Sequence, residues 1–383
     1  MSIVKKLGFL WSYSVLAAIV GGYYLGGPNW AVAGIVYVYG VLPLLDLLLG
    51  EDHSNVPNHE IDGLLKDRFF DVLVYSFVYL QYALLIWGGY VLLHDPLAVW
   101  QKISLMVSIG LFGGTIINVA HELIHRSSAV ARFHANMALA SVCYLHWGLE
   151  HVHGHHRHVA TPHDPATSRR GQTLYAFWWQ SLVGGYRSAW QIEAGLLAKE
   201  GKKVWSFQNS MFGFALWPVL LCVALVGTFS LLQAGGMLQA DANLWLIPAF
   251  FVVQSLVAIL LLESVNYIEH YGIVRAQLAT KPGQPVRYER VNPLHSWNAS
   301  QIASNWVLFQ LQRHSDHHTY AARPYQVLRH FDESPQLPHG YALMILIATL
   351  PPLWFRVMDP RLDAWKEQAV DADQIREAVK QFA

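Results

Sequence analysis

Six stretches of this chain are long and apolar enough to be membrane spans, and they limit its possible folds more than any other feature. A helix needs about 20 mostly apolar residues to cross the hydrocarbon core of a bilayer. Segments 9–25, 30–49, 69–93, 103–120, 211–232 and 244–265 meet this requirement. Because 54% of the residues are hydrophobic and only 14% are charged, the composition also departs from that of soluble proteins. We predict an all-α integral membrane protein with six transmembrane helices, forming a single membrane-embedded catalytic domain over residues 1–383.

Positive charges lie on alternate connections between these segments. The connections on one side contain only Lys102, whereas those on the other contain Lys5, Lys6, Lys66, Arg68, Arg126, Arg132, Arg157, Arg169, Arg170, Arg187, Lys199, Lys202 and Lys203. Lys and Arg accumulate on the cytoplasmic side of short loops. We therefore predict that both termini are cytoplasmic, together with a histidine-rich helical cap formed by residues 121–210 and 266–383. The formal net charge is zero, so nothing indicates nucleic-acid binding.

Histidines cluster at three places, all on the predicted cytoplasmic side. The clusters are His121 and His125, then His151, His155 and His156, and finally His314, His317 and His318. Neutral imidazoles bind first-row transition metals. Because one ion accepts about six ligands at most, this number of histidines predicts a binuclear centre, provided that the three segments meet. The spacing does not choose between iron, copper, zinc and nickel.

Helical spacing also predicts which histidines bind the same ion. Residues four apart share one face of a helix, and this spacing occurs in three pairs: His121 with His125, His151 with His155, and His314 with His318. His317 is expected beside the last pair. His156 is displaced from His155 by about 100° around the helix, so it is free to reach a second ion.

The remaining histidines and the nearby carboxylates receive other roles. Isolated histidines are usually surface or core residues, so the ligand set omits His53, His59, His94, His134, His146, His295, His330 and His339. Three further histidines near the clusters are expected to support the site or lie at the surface: His153, His158 and His163. Carboxylates beside metal-bound imidazoles commonly accept the other ring N–H. We predict this role for Glu122, Glu150, Asp164, Glu269 and Asp316.

Two other functions fit part of this pattern. His121-Glu122-Leu123-Ile124-His125 matches HExxH, in which two histidines bind zinc and the glutamate is the general base of a peptidase. An intramembrane zinc peptidase needs only one further ligand, so it leaves most of the other clustered histidines unexplained. A metal transporter is the other alternative. Transport sites usually lie near the membrane midplane, whereas these histidines follow the ends of apolar segments.

The longer motifs around the clusters resemble a known family. They are HELIHR at 121–126, EHVHGHHRHVATPHDPATSRR at 150–170, NYIEHYG at 266–272 and LQRHSDHHTYAARPYQVLR at 311–329. These words resemble the histidine boxes of the membrane-bound di-iron desaturase and hydroxylase superfamily. The flanking sequence, and HYG in particular, is similar to the alkane 1-monooxygenases. The resemblance extends over most of the chain from the third apolar segment to Arg329.

The resemblance implies a cofactor and a reaction. The cofactor is a pair of non-haem iron ions (Fe2+/Fe3+), and the matching ligands are His121, His125, His151, His155, His156, His270, His314, His317 and His318. His270 follows from the resemblance alone. The implied reaction is terminal hydroxylation of medium-chain n-alkanes to 1-alkanols by O2. Electrons would come from rubredoxin and its NAD(P)H-dependent reductase. This chain has two cysteines and a rubredoxin needs four, so the donor lies outside this sequence.

The resemblance also implies a place in the bacterial inner membrane. An acidic electron donor is expected to dock on Arg126, Arg157, Arg169, Arg170 and Arg187, and the alternative is that these arginines face solvent or lipid headgroups. The aromatic residues expected to line an alkane cavity are Tyr23, Tyr37, Tyr39, Phe77 and Tyr79, for which helix packing or anchoring at the membrane interface is the alternative. The alternative within the superfamily is a fatty-acid or xylene-type hydroxylase or desaturase on the same scaffold.

Overall fold

The architecture is mostly helical, in a computed structural model that describes residues 1–279 and 283–368. Within those ranges, six helices are long and apolar enough to cross a membrane: Ile3–Gly26, Pro28–Leu49, Arg68–His94, Val99–Ile124, Ser210–Ala234 and Leu246–His270. We refer to them as spans one to six. Each predicted segment lies on one of these helices, so the six-span class is confirmed.

Spans four and six run further than the apolar segments predicted. Span four ends at Ile124 and span six at His270, so His121 and His270 lie on the spans themselves. The helices therefore continue beyond the apolar segments into the polar sequence that carries these two histidines. A helix continues through polar residues while its backbone hydrogen bonds are satisfied, and hydropathy alone does not locate that end.

Glycines allow spans four and six to pack closely. A Cβ on Gly110 would lie 2.8 Å from the backbone oxygen of Gln254, and one on Gly114 would lie 2.5 Å from Leu261 Cδ2. Small residues permit this close approach of helix backbones in membranes. The contact fixes the two spans side by side, so their histidine-bearing ends, at His121 and His270, reach the same region of the molecule.

The cap is built from shorter elements that connect the spans. Before span three lies Asn58–Leu65. Between spans four and five lie Ala129–Ala140, Leu145–Glu150, a π-helical turn at His151–His155, His156–His158 and the long helix Leu174–Lys199. After span six come the paired strands Gln277–Leu278 and Arg287–Tyr288, then Ile302–Val307, His314–Thr319, a 3-10 turn at Tyr325–Val327, Tyr341–Ala348 and Pro351–Gln368. Residues 369–383 of the predicted cap lie outside the described ranges.

A buried arginine joins the third histidine cluster to the loop after span two. The Arg313 side chain donates to the backbone oxygens of Leu328 at 2.9 Å, Asp52 at 3.0 Å and Ser54 at 3.1 Å. Burial lowers the pKa of this guanidinium to about 10, which still leaves it charged at neutral pH. Arg313 precedes His314, so these bonds fix the start of the helix that carries the third cluster.

The HYG motif ends span six and attaches it to the cap. Gly272 has a φ of 70°, a left-handed conformation that favours glycine. The Tyr271 hydroxyl donates to Asp359 Oδ1 at 2.8 Å and accepts from the backbone N–H of Gly171 at 2.9 Å. The motif therefore stops the helix directly after His270 and holds that end between two cap segments.

Candidate metal centre

All nine histidines of the predicted ligand set converge where spans four and six meet the cap. They form two groups, within each of which one nitrogen per ring lies within 4.8 Å of the others. The five-histidine group contains His121, His125, His151, His156 and His317, and the four-histidine group contains His155, His270, His314 and His318. Three distant parts of the chain and the end of span six therefore supply one compact pair of sites.

The second cluster divides between the groups differently from its predicted pairing. His151 was expected to share an ion with His155, but its Nε2 lies 3.0 Å from His156 Nε2. The cause is the π-helical turn His151–His155, in which the N–H of His156 reaches the carbonyl of His151. A π turn aligns residues five apart rather than four. His155 is left on the other side, with its Nε2 3.3 Å from His318 Nε2.

The third cluster is divided in a similar way. His314 and His318 behave as predicted, with their Nε2 atoms 2.8 Å apart. His317 was expected beside them, but its Nε2 lies 3.1 Å from His156 Nε2 in the five-histidine group. Successive residues on a helix are about 100° apart, so neighbours can serve two sites on either side of one helix.

His270 could not be found by spacing because it has no histidine neighbour on its helix. It is the last residue of span six, and its Nε2 lies 3.3 Å from His314 Nε2. Its only signal in the sequence, apart from the family motif, is its position at the end of an apolar segment. The close packing of spans four and six then brings it into the four-histidine group.

Two of the five predicted carboxylates contact candidate ligands. Asp164 Oδ2 lies 2.9 Å from His155 Nδ1, the expected contact, which leaves the Nε2 lone pair of that ring for a metal. Glu269 Oε2 instead lies 3.1 Å from His314 Nε2, the nitrogen that faces the other rings. Glu269 Oε1 accepts from the Tyr341 hydroxyl at 2.7 Å. Glu269 is therefore oriented towards the centre of its group.

The other three carboxylates have different partners from those predicted. Glu122 forms an ion pair with Arg126 at 2.9 Å. Glu150 accepts from the Ser188 hydroxyl at 3.0 Å, and Asp316 forms an ion pair with a nearby cap arginine. Each lies beside a candidate ligand in sequence, but adjacent residues on a helix point in different directions. These carboxylates hold the surrounding elements together.

Burial keeps most of the candidate ligands neutral. It lowers the pKa of His125 to about 4, and burial with neighbouring imidazoles lowers the pKa values of His151, His156, His314, His317 and His318 well below their ordinary value. His155 differs, because burial lowers its pKa but the Asp164 carboxylate outweighs this and raises it. Neutral rings are the form that binds a metal.

The density of ring nitrogens fits a pair of metal ions. Each ring nitrogen carries either one lone pair or one N–H, so this many converging nitrogens cannot all be satisfied by bonding to one another. The Nε2 atoms of His121 and His125 are buried and have no hydrogen-bond partner among the described residues. Nitrogen ligands of this kind suit iron and its neighbours in the first transition row.

An apolar cavity approaches the four-histidine group from the spans. Its walls come from spans one, two, four and six and from two cap segments: Val15, Val38, Tyr39, Leu42, Leu111, Gly114, Thr115, Asn118, Leu261, Leu262, Val265, Val307, Leu308, Leu311, Tyr341, Ala342 and Ile345. Tyr341 is also the hydroxyl donor to Glu269. Of the aromatic residues expected to line a cavity, Tyr39 does so. The other four side chains are not in the lining of this cavity and have partners elsewhere. Phe77 stacks on Phe112, and hydrogen bonds join Tyr37 to Ser14, Tyr23 to Asp95 and Tyr79 to His134.

The arginines expected to dock an electron donor fall into two sets. Arg157, Arg169 and Arg187 are exposed. Arg126 is paired with Glu122 and Asp71, and Arg170 with Asp363, so the charges of these two are already compensated. The three histidines that were expected to support the site or lie at the surface differ in exposure. His153 and His163 are exposed, and His158 is partly buried.

Comparison with known proteins identifies the family to which this architecture belongs. The fatty acid desaturase family model matches residues 96–348. Alkane 1-monooxygenase 2 of Alcanivorax borkumensis is 38% identical over 96% of this chain and 94% of its own length. Alkane 1-monooxygenase 1 of Pseudomonas aeruginosa is 40% identical over 95% of this chain and 93% of its own length. The chain belongs to the alkane 1-monooxygenases of the fatty acid desaturase family. The xylene/toluene monooxygenase hydroxylase component of Pseudomonas putida is more distant, at 29% identity over 91% of this chain and 86% of its own length.

Membership of the alkane 1-monooxygenase family fixes the general class of the protein. It is a multi-pass membrane protein and an oxidoreductase, a monooxygenase of a non-haem iron family. The family also removes the zinc peptidase from consideration. In agreement, Glu122, which would be the peptidase base, is bound to Arg126 and to the backbone N–H of Tyr325 at 3.1 Å.

Proposed function

We propose that this protein hydroxylates the terminal carbon of medium-chain n-alkanes to 1-alkanols, using O2 and two non-haem irons held by the nine histidines. The observation that carries the proposal is the link between the apolar cavity and the histidines. Tyr341 lines the cavity and donates to Glu269, whose other oxygen lies 3.1 Å from His314 Nε2. A hydrocarbon end placed against Tyr341 is therefore separated from the four-histidine group by one carboxylate.

The lining of the cavity suits a substrate that has no polar group. An alkane is bound only by removal of its surface from water, worth about 0.8 kcal/mol for each buried CH2. Alkanes also partition into lipid, so a cavity reached from the membrane spans is open to the phase that holds the substrate. The cavity is narrow, with a free volume of ≈ 60 Å³, so the alkane must displace lining side chains as it enters.

Iron in these sites would supply the activation of O2 that cleavage of an unactivated C–H bond requires. The protein's own residues hold and orient the ligands. Asp164 accepts the Nδ1–H of His155 and fixes that ring, and the Tyr341 hydroxyl fixes Glu269 at the edge of the four-histidine group, where its carboxylate would lie beside the ligands of a bound iron. The apolar lining excludes water, which protects the substrate-facing side from competing reactions.

Electrons must arrive from outside this chain. We assign that role to rubredoxin and its NAD(P)H-dependent reductase, with Arg157, Arg169 and Arg187 as the exposed positive surface that attracts an acidic donor. We assign this surface, both termini and the metal centre to the cytoplasmic face of the bacterial inner membrane, because Lys and Arg accumulate on the cytoplasmic side of short loops. Turnover that falls steeply as salt is raised is the result expected for such docking.

A second groove must be considered because it is larger. It has a free volume of ≈ 740 Å³ and is lined by thirteen residues of spans three and five and of the cap, among them Tyr82, Ala140 and Trp217. Like the narrow cavity, it is lined by no candidate metal ligand, but among the described residues no side chain of its lining bonds to a group that contacts one, as Tyr341 does through Glu269 in the narrow cavity. We therefore place the alkane in the narrow cavity. A substitution that narrows this cavity should lower turnover, whereas the same change in the larger groove should not.

The test uses iron-loaded protein in lipid nanodiscs with reduced rubredoxin, octane and 18O2. We expect 1-octanol carrying one 18O atom. The variant Ala342→Leu narrows the proposed cavity and should lower kcat/KM for octane by about tenfold or more, since overpacking a filled site typically costs 1–3 kcal/mol.

The matched control is Ala140→Leu, which makes the same change in the larger groove and should leave kcat/KM unchanged. The opposite ranking of the two variants would move the substrate to the larger groove. An alkene product, or activity confined to fatty acyl or xylene substrates, would favour the alternative hydroxylase or desaturase.

A further inference from the structure

A third group of potential metal ligands lies outside the nine-histidine centre. His53, His330 and Asp332 each place a ligand atom within 4.8 Å of the others. His53 follows span two, whereas His330 follows the third histidine cluster. Their distance in the sequence did not predict that they meet. Their rings are stacked with centroids 4.3 Å apart. We call these three residues the loop cluster.

Both imidazoles of the loop cluster face the same carboxylate oxygen. Asp332 Oδ1 lies 3.0 Å from His330 Nε2 and 3.8 Å from His53 Nδ1. Two imidazoles and one carboxylate are a donor set found in zinc sites, where a water takes the fourth position. His330 is buried, with 4% of its side chain exposed, whereas His53 and Asp332 are 52% and 85% exposed. A cation can therefore enter from solvent and meet one fixed ligand and two adjustable ones.

The far nitrogen of each ring is already bonded to a group that would orient it as a ligand. His53 Nε2 lies 2.9 Å from Glu51 Oε2, and His330 Nδ1 lies 2.9 Å from the Ser300 hydroxyl. When Ser300 accepts the Nδ1–H, the Nε2 lone pair of His330 faces Asp332. Either a proton or a metal cation between these two acceptors would satisfy both of them. Such partners fix the tautomer and orientation of metal-binding histidines.

The backbone around the loop cluster is held in register without a metal. The Asn55 side chain donates to the His330 carbonyl at 2.9 Å and accepts from the His330 N–H at 2.7 Å. This pair of bonds joins the two segments that carry His53 and His330. A cation binding here does not have to assemble the segments, which reduces the cost of ordering them.

The local charges favour a divalent cation. Two positive groups that bond to the Ser54 carbonyl, Lys5 and Arg313, also contact Asp52, at 2.6 Å and 3.7 Å, so their charges are already paired. Glu51 and Asp332 supply two further negative charges beside the imidazoles. The charge of a dication is therefore balanced at this position.

We propose that the loop cluster is a second, separate metal site that binds one Zn2+ through His53 Nδ1, His330 Nε2 and Asp332. Glu51 and Ser300 orient the two imidazoles. The bound ion joins the loop after span two to the segment after the third histidine cluster. It adds to the bonds that Arg313 makes between the same parts of the chain. The site is independent of the alkane reaction.

The experiment measures zinc and iron in the full-length, iron-loaded protein after incubation with Zn2+ and removal of weakly bound metal. We expect one zinc per chain with no loss of iron. Glu51→Gln removes an orienting partner and should weaken Zn2+ binding by roughly 10–100-fold. His53→Ala and Asp332→Asn each remove a ligand and should weaken Zn2+ binding by more than that.

The matched control is His59→Ala, because His59 is 81% exposed, lies close to His53 in sequence and is outside the loop cluster. It should bind Zn2+ as the unchanged protein does, and all four variants should keep their iron and their basal activity. The proposal is overturned if the unchanged protein takes up no zinc. It is equally overturned if zinc enters only as iron leaves, or if His53→Ala and Asp332→Asn retain full affinity.

Discussion

The two histidine groups have similar ligands but different surroundings. Asp164 and Glu269 both contact rings of the four-histidine group, at His155 and His314. In the five-histidine group, the His151 ring stacks on Trp147 with centroids 4.4 Å apart, and its sequence-adjacent carboxylate, Glu150, bonds to a serine. One ion would therefore lie among carboxylates and the other among neutral rings. Two sites built from the same imidazole ligands therefore differ, because the carboxylates or aromatic rings that contact those ligands set the local charge.

The largest expected effect comes from removing one ligand of either group. His125→Ala and His314→Ala should each reduce alkane hydroxylation to background, because the reaction proposed above uses two irons, one in each group. Each variant should lose one of its two irons and keep the other, since the groups share no ligand. Iron content by mass spectrometry, beside Mössbauer spectra of the two variants, measures this directly.

The control for that experiment is His163→Ala, which changes an exposed histidine close to the centre and should keep both irons. Loss of all iron from both variants would show that the groups form one cooperative site. Identical Mössbauer spectra of the two remaining irons would remove the distinction between their surroundings.

A smaller effect is expected from the carboxylate behind the four-histidine group. Asp164→Asn keeps the shape of the side chain but weakens its bond to His155 Nδ1, so iron affinity or activity should fall by roughly 10–100-fold. The comparison variant is Glu122→Gln, which changes a carboxylate bound to Arg126 and should leave iron affinity unchanged. Retention of iron against a chelator measures both. Equal losses would mean that Glu122 also supports a ligand.

The smallest expected effect is a difference in the pH at which each iron is released. Protons compete with the metal for imidazole. Asp164 raises the pKa of His155 above 6.5, whereas burial lowers the pKa of His125 to about 4. As pH falls, His155 is therefore protonated first. The iron left in His125→Ala, which lies in the four-histidine group, should dissociate at a higher pH than the iron left in His314→Ala.

Dialysis at stepped pH followed by iron analysis gives the two release curves. Coincident curves would show that Asp164 does not distinguish the groups.

The nine histidines illustrate how far a sequence leads towards such a site. Eight of them were predicted from residue type and spacing, because they occur in three dense clusters. Their partition was predicted incorrectly for His155 and His317. A regular α-helix was assumed at His151–His155, where the structure has a π turn, and neighbours on one short helix were assigned to one ion. Local backbone geometry of this kind depends on the elements packed around it.

The sequence alone determined the six helical spans and the mostly helical class, and it predicted eight candidate ligands by spacing and His270 by the family resemblance. These properties depend on long apolar runs and on residue types that only metal chemistry explains together. Only the tertiary structure decided which rings lie together in each group and which carboxylates face them. It also brought His53 beside His330. Such relations depend on contacts between residues far apart in the chain, and these contacts are fixed when close packing of spans four and six brings the ends of the elements together.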